Sequence, residues 1–168
     1  MKKWVWFCIF VLLGFNFSCE KNVTADPKEF SLEMNRTLCY GTCPVYYLTL
    51  ANDGKVVFVG EKFTKTIGKA EGQINPEKIK QLIAEINQSK FFSFKDDYGY
   101  ESKNCSSTST DSPSVTLKIK FDKIEKTIKH YQGCFVNETF SQANGLKSLT
   151  DLENKIDEIV GTKQWIGK

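Results

Sequence analysis

Val115-Thr116-Leu117-Lys118-Ile119-Lys120-Phe121 is the stretch from which the fold is read. Four apolar residues alternate there with three polar ones, and in a strand a period of two puts the two sets on opposite faces. Ile124 to Tyr131 follows after Asp122-Lys123 and reads as the returning strand of a hairpin. Upstream, Phe30, Leu32 and Met34 alternate with Ser31, Glu33 and Asn35 in the same way. Val45–Leu50 and Lys55–Val59 flank Asn52-Asp53-Gly54, a turn cluster that tolerates positive φ, and so read as a second hairpin. A fourth strand is expected through Thr64 to Ile74, with Gly68 and Gly72 hinting at a bulge or an exposed edge.

The period then changes. Asn75 can cap, Pro76 suits the first helical position, and Ile79, Leu82, Ile83 and Ile86 share one helical face. A second helix is marked by Leu146, Leu149, Leu152, Ile156 and Ile159, stopping at Gly161, with Trp165 closing over the core. Phe91, Phe92 and Phe94 read as core, and Ser102–Ser114, in which eight of thirteen residues are Ser or Thr, as a loop. The pattern predicts an α+β domain over residues 29–165: an antiparallel sheet of about six strands with two helices packed on one face.

The amino terminus carries an address. Lys2 and Lys3 precede an uncharged stretch from Trp4 to Phe17, interrupted only by Gly14 and Asn16. As a helix it reaches about 21 Å, short of the roughly 30 Å bilayer core, which favours a signal peptide over residues 1–18 rather than a transmembrane anchor. Ser18-Cys19 follows at once and resembles the lipobox of bacterial lipoproteins, in which the Cys is lipidated and becomes the first mature residue. Residues 19–28 are then a polar tether. The alternative is ordinary cleavage after Ala25, since Val23-Thr24-Ala25 fits the small-x-small rule. Both routes lead out of the cytoplasm, with the lipidated form held at the envelope, facing periplasm or cell surface. Asn22, Asn104 and Asn137 open N-x-S/T sequons, which carry no information in a bacterial lipoprotein.

With Cys8 in the signal and Cys19 under lipid, Cys39, Cys43, Cys105 and Cys134 remain, an even number for an oxidising compartment. Three pairings are possible. Cys39 with Cys43 requires a tight turn, for which Gly41 is suited, and Cys105 with Cys134 completes the favoured set; crossed pairings stay open. A thioredoxin-like site wants C-x-x-C at a helix start, and a four-cysteine zinc site wants two short-spaced pairs. Neither is present, so no metal and no cofactor is expected.

Arg36-Thr37-Leu38-Cys39-Tyr40-Gly41-Thr42-Cys43-Pro44-Val45-Tyr46 resembles the R-x-x-C-x-G-x-C-P-x-Y signature of an uncharacterised bacterial domain, domain of unknown function 6438. Gly54-Lys55-Val56, Thr110-Asp111-Ser112-Pro113 and the closing helix before Trp165 are similar to weaker features of that family. The resemblance implies a secreted or lipid-anchored envelope protein and brings no catalytic residues with it.

The chain has 23 Lys and Arg against 20 Asp and Glu; leaving Lys2 and Lys3 with the signal brings this to 21 against 20, which speaks against nucleic acid as a partner. Arg36 and Asp111 can meet at one sheet end, as a contact site or as an internal salt bridge. Tyr40 and Tyr46 offer flat contacts beside Arg36. His130 is the single imidazole and reads as packed or hydrogen-bonded rather than as a general base. Lys118, Lys120, Lys123, Lys126 and Lys129 read as a solvated surface that on a tethered protein could also touch anionic headgroups. No G-x-S-x-G elbow surrounds any serine, and no catalytic residue is assigned. The expectation is a lipid-anchored, disulfide-stapled interaction module of the bacterial envelope, bound to the membrane through its lipid and to an envelope protein or ligand through the Cys39–Cys43 end. The alternatives are an envelope thiol/disulfide enzyme using that loop, and a structural accessory subunit of an envelope complex.

Overall fold

The computed structural model describes residues 28–136 and 143–167. The signal stretch, Cys19, most of the tether, Asn22 and Asn137 lie outside the described residues. Strands β1 (Phe30–Arg36), β2 (Val45–Ala51), β3 (Lys55–Lys62) and β4 (Gly68–Gln73) form an antiparallel meander. Strands β7 (Ser114–Phe121) and β8 (Ile124–Tyr131) form the hairpin that the alternation predicts, and β7 pairs with the free side of β1, Phe30 opposite Phe121 and Arg36 opposite Val115.

The sheet has seven strands, in the order β4-β3-β2-β1-β7-β8-β5, rather than about six. The addition is β5 (Asp97–Tyr98), which lies parallel to β8. Two residues carry no periodicity, so nothing in the sequence marks it. Part of the Ser/Thr-rich segment also pairs, β6 (Ser107–Thr108) with β9 (Cys134–Phe135), in a separate two-stranded ladder. The fourth strand begins at Gly68 and not near Thr64, because residues 63–67 turn away from the sheet: Phe63 takes φ 54°, and the backbone amides of Lys65 and Thr66 donate to the carbonyls of Ile166 and Trp165. As the glycines suggest, β4 is the sheet edge.

Helix α1 (Pro76–Gln88) starts as predicted, with the Asn75 side chain accepting from the Lys78 amide at 2.9 Å. It buries Ile79, Leu82, Ile83 and Ile86 against the sheet face carrying Leu32, Leu50 and Val56. Helix α2 (Ala143–Val160) covers the same face with Leu149, Leu152, Ile156 and Ile159, and Gly161, at φ 79°, stops it. A short helix α3 (Lys163–Ile166), absent from the sequence reading, holds Trp165 against Phe58, ring centroids 5.2 Å apart. Phe91 is buried in a 3-10 turn, as its cluster predicts. None of the described helices is long and apolar enough to cross a membrane.

Candidate functional site

Arg36 follows Met34 by two residues on β1 and therefore points to the same, helix-covered face. Its neighbours in register are Tyr46 on β2 and Val115 on β7, and Val115 in turn faces His130 on β8. Tyr46, Arg36 and His130 thus form one polar row across the inner face of the sheet. Glu153 and Asp157, four residues apart on α2, share one helix face and answer that row.

Arg36 Nε and Nη2 reach Asp157 Oδ2 at 3.0 and 2.9 Å, and the Tyr46 hydroxyl and Thr162 Oγ1 both donate to Asp157 Oδ1. His130 Nδ1 lies 2.8 Å from Glu153 Oε1, both side chains buried. Burial would lower the Arg36 pKa, but the Asp157 carboxylate, followed by Tyr46 and Glu153, outweighs it and the net shift is upward. Burial first, and then the Asp157 charge, push the Tyr46 phenol well above the ordinary tyrosine range. The cluster therefore keeps the guanidinium charged and the phenol neutral, joined through Asp157 between sheet and helix.

The carboxylate facing Arg36 is Asp157, so of the two readings of Arg36 with Asp111 the internal salt bridge does not form. Asp111 sits in the loop before β7 at φ 67°, exposed, and its backbone carbonyl accepts from the Tyr40 amide at 3.0 Å. A left-handed loop residue tied down by its main chain is not aimed at the inner face where Arg36 lies. The Arg36 side chain is 14% exposed and Tyr46 is buried, whereas Tyr40 is 87% exposed. Asp157 and Glu153 escaped the sequence reading because the apolar residues of α2 suffice to define a helix. The available signal was Glu153 standing within the stripe of Leu149, Ile156 and Val160.

Beyond Arg36 the chain enters the turn at residues 37–44. Cys39 pairs with Cys43 at a Cα separation of 5.7 Å, and Gly41 takes φ 145°, the conformation for which a glycine was needed. Cys105 pairs with Cys134 at 5.4 Å. The favoured pairing is the one formed. Pro44 leads from the short turn into β2 rather than into a helix, so the Cys39–Cys43 pair lacks the helix amino terminus that lowers a thiol pKa in redox motifs. The turn leans on the Ser/Thr loop: the Thr37 amide donates to the Ser114 carbonyl and the Ser114 amide to Thr37 Oγ1. Tyr131 closes that loop, donating to the Ser109 carbonyl and accepting from the Ser112 amide.

Every exposed large hydrophobic among the described residues, namely Leu38, Tyr40, Phe63, Ile67, Tyr100 and Phe135, sits at the same sheet end. That is the end where β1 and β3 finish and β2, β4 and β7 begin. The hairpin lysines are largely engaged instead: Lys118 with Glu33 and Glu125, Lys120 with Glu29, and Lys126 with Asp96.

Comparison with curated proteins gives no match. The family model described as domain of unknown function (DUF6438) matches residues 30–160, a span that runs from β1 through the Cys39–Cys43 turn to the end of α2 and includes both Arg36 and Asp157. The chain therefore belongs to the DUF6438 family.

Proposed function

We propose that the protein is a lipid-anchored interaction module of the bacterial envelope, held through Cys19, and that it binds an envelope protein through the loops around the Cys39–Cys43 turn. The observation that carries the reading is the gathering of exposed large hydrophobics, Leu38 and Tyr40 on the turn with Tyr100 on a neighbouring loop and Phe135 on β9, at one sheet end. Two disulfides suit an oxidising compartment and fix the chain that presents these side chains, so docking there costs little conformational freedom. Tyr40, a rigid aromatic exposed beside a preorganised turn, is of the type that anchors interfaces. Arg36, whose guanidinium is taken up by Asp157, acts as the support beneath the turn.

The test is crosslinking in cells from a photoreactive residue at position 40, compared with one at position 123 on the opposite turn. One discrete partner captured from position 40, and weakened by Leu38→Ser without loss of thermal stability, supports the proposal. Equal capture from both positions sinks it.

A further inference from the structure

From the exposed side chains at the far corner of that same end, where residues 63–67 join β3 to β4, we infer a second contact surface, one that takes an anionic lipid bilayer. Phe63 and Ile67 are 47% and 65% exposed. Phe63 holds a positive φ, and the loop behind it is fixed by Thr64 Oγ1 donating to the Thr66 carbonyl at 2.8 Å and by the two backbone bonds to α3. The apolar side chains are therefore carried outward on a braced loop.

Lys62 and Lys65 flank Phe63 in sequence and Lys163 opens the helix α3 to which this loop is bonded; all three lie exposed, and none makes an ion pair among the described residues. The neighbouring Lys69 is paired with Glu71, and the acidic residue standing next to Lys62 is Glu61. Two apolar side chains near three ammonium groups that form no ion pair among the described residues match the interfacial region of a negatively charged membrane, where the side chains enter below the headgroups and the lysines meet phosphate. Two such side chains give a footprint far smaller than the roughly 800 Å² that a stable protein partner needs, which favours lipid over an acidic protein. The inference is independent of the docking surface proposed above, since no residue is shared. It is compatible with anchoring: the chain leaves the domain at Lys28–Glu29, at the opposite sheet end beside Asp122, and ten residues from Cys19 to Lys28 reach about 30 Å, against about 26 Å for an eight-residue strand.

The experiment uses the full chain carrying Phe63→Trp, with the unsubstituted chain as the baseline for its own tryptophans. Vesicles of phosphatidylcholine alone are compared with phosphatidylcholine–phosphatidylglycerol at about 7:3. Expected are a blue shift of the introduced indole and its quenching by brominated acyl chains, with the phosphatidylglycerol vesicles alone. Lys62→Glu with Lys65→Glu should weaken the lipid-dependent signal of the introduced indole by about 25-fold or more, as two lysines each contributing about fivefold multiply. Ile67→Trp serves as reporter if Phe63→Trp does not fold. No spectral change, or the same change with both vesicles, overturns the inference. A change produced by polyglutamate but by neither vesicle also overturns it, in favour of an acidic protein.

Discussion

Arg36 shows how little a side chain's type says about its use until its facing is known. An arginine beside a rigid turn suggests a recognition residue, but parity along β1 sends it inward, where Asp157 meets it. Arg36→Ala should lower stability by about 2–4 kcal/mol, the scale of uncovering one member of a largely buried pair. Asp157→Ala should cost a similar amount, and the double substitution clearly less than the two added together, as read from urea midpoints; strict additivity would show that the pair does not act as a unit. Tyr46 gives a pH signature. Its folded pKa is raised above the ordinary 10.0, so above pH 10 the unfolded chain releases a proton that the folded chain keeps. Its contribution is fully present below that pH and falls as pH rises further. In an absorbance titration of the six tyrosines, Tyr46 should stay silent until the chain unfolds, and Tyr46→Phe should flatten the alkaline decline in stability. Tyr47, raised to about 12 by its own burial and its bond to Glu33, titrates late for a separate reason and serves as the internal comparison.

Elements with many repeats of their period were legible and those without were not. The alternation from Val115 to Phe121 and the helical stripe from Ile79 to Ile86 are each long enough to declare both type and facing. β5 and β9, two residues each, are held by their neighbours, β5 by β8 and β9 by the ladder to β6 beside the Cys105–Cys134 bond. Residues 64–67 read as strand because Thr64, Thr66 and Ile67 have high β propensity, while what bends the chain there is its docking on α3, a tertiary effect. The disulfides show the same division. Cys39–Cys43 could be argued from local geometry, whereas Cys105–Cys134 required counting. Chain-entropy reasoning gives about 3.5 kcal/mol for the longer loop and about 2 for the shorter. Replacing both Cys105 and Cys134 by Ala should therefore destabilise the protein more than replacing Cys39 and Cys43, by calorimetry under oxidising conditions; the reverse order would mean that the short turn carries more of the native packing than its length implies.

On the scale of the whole molecule, the alternation of polar and apolar residues foretold which sheet face the helices cover, and the location of the candidate site at one sheet end was legible from the Cys-Gly-Cys turn. Its composition was not, because Tyr100 and Phe135 join it through β8 and the second disulfide, contacts that link distant parts of the chain. The pairing of β1 with β7 has a temporal meaning as well. Strands β1 to β4 are contiguous and can assemble as soon as they are available, but β1 lies in the interior of the finished sheet, and its partner on the other side begins only at Ser114. A chain made amino terminus first thus holds one side of β1 open, with Leu32 and Met34 incompletely covered, until the last third of the sequence arrives. Its two disulfides are ordered by the same delay: the Cys39–Cys43 loop can be oxidised early, while the bond from Cys105 must wait for Cys134, making its closure a marker of completed sheet assembly.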